Sequence, residues 1–292
     1  MYECVGLTKK NFNNFKELNF KRKLFNPLNK DFFEVYDRCN FAQQIFLRRA
    51  VKLVKSNFRY IGYIWTDIVH KNVCNINAMN VSCTYDENID SKIPYIYLID
   101  TIKKNCVVKY LCEDNSYNCT LLKNMGFEKK EGTLVLFREL YESTPLNLHK
   151  ELEFEVFKKG KDEQRRCEIQ NQIFQEHNRI PLTLDDIYME ELQNYYFEKG
   201  SAFLKRNNEH IGYGQIIIEN NIPVIVNFGI IEKYRGKGYS KYLLNYLLNI
   251  VYANDFNRIM IKVKSSNYVA LNLYRNVGFK IKKKRFNWEL KR

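Results

Sequence analysis

Six residues carry the clearest chemical signal in this 292-residue chain: Arg235, Gly236, Lys237, Gly238, Tyr239 and Ser240, set between an apolar run (Pro223 to Ile231) and an amphipathic segment (Lys241 to Tyr252). Two glycines let the backbone turn tightly with no Cβ in the way, so successive N–H groups converge just before the first helical turn. That geometry cradles phosphate, and Arg235 and Lys237 add positive charge beside it. The predicted ligand is therefore anionic. The Walker spacing of glycine, four residues, then Gly-Lys-Ser/Thr is absent, and a dinucleotide fingerprint would need a third glycine where Lys241 stands. Taken alone, such a turn also joins strands to helices for purely structural reasons.

The elements that must position this turn are legible on both sides of it. Pro223 to Ile231 reads as a strand, and Leu243, Leu244, Leu247, Leu248 and Val251 recur at the three-and-four spacing of a helix. Downstream, Arg258 to Lys264 alternates like a second strand and leads into Asn267, Ala270, Leu273, Tyr274, Gly278 and Phe279. Strand, R-G-x-G-x-S turn, helix, strand, then N-x-x-A-x-x-L-Y-x-x-x-G-F: in this order the chain resembles the GNAT superfamily of acyl-CoA-dependent N-acyltransferases, whose turn reads Q/R-x-x-G-x-G/A. Arg235, Gly238 and Ser240 stand at the three marked positions, the serine being a small departure that still allows close backbone approach. The resemblance covers residues 153 to 290.

It implies an α/β (α+β mixed) fold, a mostly antiparallel mixed sheet flanked by helices, and acetyl-CoA as cofactor. It further implies direct attack of an unprotonated amine on the thioester, with a small-molecule or peptide amine as acceptor. By the same resemblance the backbone of Arg235, Gly236, Lys237, Gly238, Tyr239 and Ser240 holds the pyrophosphate. The strand end at Gly229, Ile230 and Ile231 pairs with pantetheine and aims an N–H at the carbonyl oxygen. Tyr274 matches the tyrosine whose hydroxyl faces the thiol sulfur, which makes it the expected general acid; packing is its alternative role. Asn267 resembles the residue that bonds the pantetheine arm, and it is also placed to cap a helix.

The general base is less defined, because residues 223 to 231 (PVIVNFGII) contain no carboxylate and Asn227 is the only polar side chain there. Three options stay open: water ordered by Asn227, Glu219 on the previous strand, or no base at all for an amine of low pKa. His177 and His210 read as surface residues. Asp185, Asp186, Glu190 and Glu191 fall in the segment that lines the acceptor pocket in this family, where they suit a cationic amine; favourable charge at a helix N-terminus is the plainer reading.

The length makes two domains a reasonable expectation, and the sequence repeats itself at that scale. Ile61, Gly62 and Tyr63 recur as Ile211, Gly212 and Tyr213, an offset of 150, while Asn115, Leu121, Asn124, Gly126 and Phe127 recur as Asn267, Leu273, Asn276, Gly278 and Phe279, an offset of 152. A tandem chain is expected, with residues 1–145 and 146–292 as its halves and a connector at Glu142 to Asn147. The halves differ where it matters. No glycine falls between Gly62 and Gly126, the segment matching the turn (Val81 to Lys92) carries Asp86, Glu87 and Asp90, and Leu122 stands where Tyr274 would be. The first half thus reads as a degenerate copy without the CoA-binding turn.

The net charge of +14 raises a nucleic-acid reading. It is spread evenly: 23 basic against 16 acidic residues in the first 150 positions and 24 against 17 in the rest leave +7 on each side. No recognition helix, zinc finger or aromatic RNA motif accompanies it, and Lys282, Lys283, Lys284 and Arg285 read as a solvated strand edge. Eight cysteines show no C-x-x-C pair and no zinc-ligand spacing, so no metal is expected. With no signal peptide and no apolar run near 18 residues, a cytoplasmic protein with reduced thiols and no membrane segment is expected. Two readings of other classes stand beside the N-acetyltransferase: an acyl-CoA-binding sensor or partner-binding protein without turnover, and an RNA-associated basic protein.

Overall fold

In the computed structural model the stripe of Leu243, Leu244, Leu247, Leu248 and Val251 is the buried face of a 15-residue helix, as its spacing requires. The structure describes every residue except 68–71, 83–91, 147–148 and 176–178. Asp86, Glu87, Asp90 and His177 therefore lie outside the described residues.

In chain order the elements are β1 (Tyr2–Gly6), α1 (Phe12–Phe20), α2 (Phe32–Tyr36), α3 (Phe41–Arg49), β2 (Val51–Ser56), β3 (Arg59–Thr66), β4 (Val73–Val81), α4 (Ile93–Asp100), β5 (Val107–Glu113) and α5 (Ser116–Asn124). Then follow β6 (Glu128–Glu139), β7 (Leu152–Val156), α6 (Glu163–Ile173), α7 (Leu184–Glu191), β8 (Tyr196–Arg206), β9 (Glu209–Glu219), β10 (Ile222–Ile230), α8 (Tyr239–Ala253), β11 (Arg258–Lys264), α9 (Tyr268–Asn276) and β12 (Lys280–Lys291). No described helix is long and apolar enough to cross a membrane.

Two compact units result, Met1–Thr133 with Lys283–Arg292, and Leu134–Lys282. The strand order in the first unit is β1-β2-β3-β4-β5-β12, antiparallel except for the parallel β4/β5 pair. In the second it is β6-β11-β10-β9-β8-β7, with β7 to β10 antiparallel and β10/β11 parallel. The repeat seen in the sequence is thus a repeat of topology. Its division differs from a cut at 145/146: the strand after Gly278 and Phe279 completes the first unit, and the Leu134–Glu139 end of β6 belongs to the second.

Phe41 to Val54 (FAQQIFLRRAVKLV) is amphipathic at helical period throughout, yet the helix stops at Ala50 and a strand follows. α3 buries none of its residues, whereas Val51, Leu53 and Val54 of β2 are fully buried. Burial of these β-branched and leucine side chains on a sheet outweighs the helical period.

Where β4 and β5 part in the first unit, beyond the Ile76↔Tyr110 pair, the chain's own segment 25–29 enters. Asn29 donates to the Met79 carbonyl (2.9 Å), Asn26 donates to the Leu111 carbonyl (2.9 Å), and the Glu113 N–H donates to Asn26 Oδ1 (3.1 Å). Tyr110 Oη also donates to Asn29 Oδ1 (2.8 Å). Phe25, 2% exposed, packs its ring 5.1 Å from that of Tyr95 and 6.3 Å from that of Tyr110. The backbone groups freed by this splay at Met79, Leu111 and Glu113 are thus satisfied from within.

Candidate active site

In the second unit the corresponding splay is open. β10 and β11 pair at Val224↔Met260 and Ile225↔Ile261, after which β10 bulges against β9 between Val226 and Gly229. Asn227 sits in the bulge with a left-handed backbone (φ 48), a conformation asparagine tolerates better than most side chains. Beyond the bulge, Phe228, Gly229 and Ile230 form one wall of a cleft of about 550 Å³. The turn and the start of α8 (Arg235, Gly236, Gly238, Tyr239, Ser240) form another, Asn267 and Tyr274 a third, and Ile173 and Phe174 close it from α6.

The turn is built as the glycine spacing requires. Gly236 (φ 77) and Gly238 (φ 80) are left-handed, and a Cβ at either would find no atom within 4 Å, so the turn's outer face is free for a ligand to approach. Gly238 is the N-cap of α8 and supplies no side-chain acceptor. The Lys241 N–H is taken by the Gly238 carbonyl (3.0 Å), and those of Tyr239 and Ser240 at the helix start remain for an anion.

Arg235 lines the cleft, yet its side chain is tied to the protein: Nε donates to the Ile230 carbonyl (2.9 Å) and Nη2 to the Ile173 carbonyl (2.6 Å). It clamps the end of β10 to the end of α6 while keeping its charge at the turn. Tyr239 turns its hydroxyl away to Glu151 (3.3 Å) and packs in the core, so what it offers the cleft is its helix-start backbone. Two residues predicted to hold the cofactor do not line the cleft. Ile231 is buried against Phe157, Ile169 and Ile173, and Lys237 lies over the Tyr234 ring (5.8 Å).

Asn267 does cap α9, accepting from the Ala270 N–H (3.1 Å), and it also lines the cleft. Both roles expected of it are compatible. Tyr274 is 7% exposed, with its ring 6.2 Å from Phe228 and 6.0 Å from Phe279. Burial pushes its phenol up to about 12, so it stays protonated at neutral pH. Among the described residues its hydroxyl has no hydrogen-bond partner, which leaves the O–H available to the cleft it lines.

Asn227 does not line the cleft; its Nδ2 donates to Gln215 Oε1 (2.9 Å). Glu219, at the far end of β9, is paired with Lys262 (2.6 Å), and His210 is held by Glu155 (3.0 Å); neither comes to the cleft. Asp186 belongs to a capping box with Thr183, the plainer of its two readings. Glu190 is different, being joined to Asn227 through Gln215, and buried Arg166 binds both Glu190 and Gln215. Arg166 and Gln215 escaped the sequence reading. The available signal was a lone glutamine on the face of β9 that otherwise carries Tyr213 and Ile217.

Among the described residues no group of His, Cys, Asp and Glu could hold a metal ion. Burial pushes the Cys74 and Cys4 thiols up to about 11, the state of inert thiols rather than nucleophiles.

The open splay, the glycine turn and the tyrosine all fall within a segment that matches a known family. Residues 168–279 match the model of the Acetyltransferase (GNAT) family. The mixed fold repeats across similar solved structures. A GCN5-related N-acetyltransferase from Sphaerobacter thermophilus shares 13% identity at a TM-score of 0.60, over 99% of this chain and 95% of that one. A tandem GNAT protein from the clavulanic acid biosynthesis pathway shares 10% identity at a TM-score of 0.52, covering 99% and 98% of the two chains. A GNAT-family acetyltransferase from Colwellia psychrerythraea shares 10% at 0.54, with both chains covered completely. At these identities the likeness is one of fold. No curated protein sequence matches the chain significantly.

Proposed function

We propose that the second unit is an acyl-CoA-dependent N-acyltransferase, transferring acetyl from acetyl-CoA to a primary amine by direct attack. The observation that carries this reading is the open splay of β10 and β11 ending on a glycine turn whose helix N-terminus has no side-chain cap. A CoA pyrophosphate suits such a turn in charge and in room. Acetyl-CoA, when bound, supplies the thioester to be broken.

The chain's residues then have three tasks. Backbone N–H groups of Gly236, Gly238, Tyr239 and Ser240 bind the pyrophosphate, and Arg235 holds their frame by clamping β10 to α6. Backbone groups of Phe228, Gly229 and Ile230 orient the pantetheine arm, and Asn267 adds a side-chain contact. Tyr274 presents its O–H to the departing sulfur. With a phenol near 12 it acts chiefly as a hydrogen-bond donor to growing negative charge, giving up its proton only as the thiolate forms.

A thiol-release assay with acetyl-CoA across a panel of amines tests this: amine-dependent release supports the transferase. A second reading, an acyl-CoA sensor, draws on the absence of a carboxylate from β10 and on Asn227 turning toward Gln215. Tight acetyl-CoA binding with no release for any amine would establish the sensor instead.

A further inference from the structure

The amide of Asn227 is locked by a chain of groups whose donor and acceptor roles are all determined. Arg166, fully buried, has only donors, and its Nη2 donates to Glu190 Oε2 and to Gln215 Oε1 (3.1 Å). Gln215, also fully buried, must therefore point Oε1 toward Arg166 and Nε2 toward Glu190 Oε1, to which it donates at 3.2 Å. The same Oε1 accepts from Asn227 Nδ2. The Asn227 carbonyl oxygen is left facing away from Gln215. It has no partner among the described residues, yet it is not one of the buried unpartnered atoms, so it borders accessible space.

We propose that Arg166, Glu190 and Gln215 are positioning residues that fix the polarity of Asn227, so that Oδ1 is presented as a hydrogen-bond acceptor to the attacking amine. This inference rests on the transferase reading. An N–H···O bond to Asn227 aligns the nitrogen lone pair with the adjacent wall formed by Phe228 and Gly229, and an amide turned the other way would present a donor and repel the amine's hydrogens. The network also answers the missing carboxylate of β10: the negative charge stands on α7 and acts through Gln215. The Arg166 guanidinium also lies over the rings of Phe157 and Tyr213, at 5.9 and 5.7 Å.

The proposal makes a swap informative. In Glu190→Gln the introduced amide must place a donor against Arg166 or against Gln215. In Gln215→Glu two carboxylates face each other. In the double variant Glu190→Gln/Gln215→Glu every donor again meets an acceptor and the net charge is unchanged.

The test uses the full chain labelled with ¹⁵N-asparagine, the Asn227 side-chain signal being assigned by its loss in Asn227→Asp, and thiol release from acetyl-CoA with the best amine of the panel. We expect each single variant to shift the Asn227 signal, hasten its exchange and lower kcat about tenfold or more, the scale of a lost positioning contact, with the acetyl-CoA Kd unchanged. The double variant is expected to restore both signal and turnover to within about threefold, since the pair is coupled, and Glu190→Gln in an Asn227→Ala background is expected to cost nothing further. An Asn227 signal indifferent to Glu190→Gln, or a folded double variant that restores neither signal nor turnover, overturns the proposal. If a single variant does not fold, the double variant alone decides. If wild type releases no thiol with any amine, the transferase reading fails, and the Asn227 signal still decides whether the network sets its polarity.

Discussion

The two splays of this chain share a topology and have opposite contents. In the first unit the gap between β4 and β5 is filled from within: Asn26 and Asn29 meet the parted backbones and Phe25 fills the space under Tyr95 and Tyr110. In the second, the gap between β10 and β11 opens onto a cleft walled by backbone, a glycine turn, Asn267 and Tyr274. The difference shows what an open site costs. Parted strands expose polar backbone and apolar walls, and a fold either covers them with its own residues or leaves them for a ligand to cover. Burying Phe25 stabilises the filled splay by about 1.5–3 kcal/mol, which the open one forgoes.

The two units differ most sharply in chemistry at Tyr274, whose counterpart in the first unit is the buried Leu122. Tyr274→Phe keeps the ring packed against Phe228 and Phe279 and removes only the O–H. Steady-state kinetics should show kcat down by roughly 10²-fold, with acetyl-CoA affinity unchanged. Undiminished turnover would return Tyr274 to a packing role.

Next in size is the turn. Gly238→Val forces a β-branched residue to φ 80 and puts methyl groups where the backbone must meet phosphate. The acetyl-CoA Kd should rise about tenfold or more, equivalent to about 1.4 kcal/mol or more, by titration. An unaltered Kd would place the anion elsewhere.

The filled splay answers to Asn26→Ala. Losing the Asn26 contacts leaves the Leu111 carbonyl and the Glu113 N–H unpaired, and denaturant unfolding should register about 1–3 kcal/mol of destabilisation. Hydrogen exchange at the Glu113 amide should quicken while acetyl-CoA binding stays as it was. Unchanged exchange would mean that segment 25–29 does not seal the gap.

The smallest expected effect is one of pH. Burial raises Tyr274 to about 12, so the neutral O–H persists well above pH 10 and is lost only as pH rises through that value. A pH–rate profile should show no alkaline loss attributable to a phenol below about pH 10, the range of an unperturbed tyrosine. A loss near that ordinary value, absent in Tyr274→Phe, would show that the ring is more hydrated than its burial indicates.

Much of the second unit was legible because its signals are local. The glycine turn, the stripe of α8 and the Asn267 cap each depend on residues within a few positions of one another. The split of Phe41 to Val54 was hidden because a helical period there competes with burial on a distant sheet. Asn26 and Asn29 carry no local signal, because their partners at Leu111 and Met79 lie 85 and 50 positions away. The lock on Asn227 was equally hidden, since Arg166 and Gln215 are 49 positions apart. The exchange of terminal strands has no local signature either, and it changes what a truncation does. A chain beginning at Leu146 would lack the Leu134–Glu139 strand of its own unit.

Calorimetric titration of the full chain with acetyl-CoA decides whether one splay is closed by the chain and the other kept for acetyl-CoA. One site per chain is expected, weakened about tenfold or more by Gly238→Val and untouched by Asn26→Ala. Two equivalent sites, or a single site that ignores Gly238→Val and responds to Asn26→Ala, would contradict it.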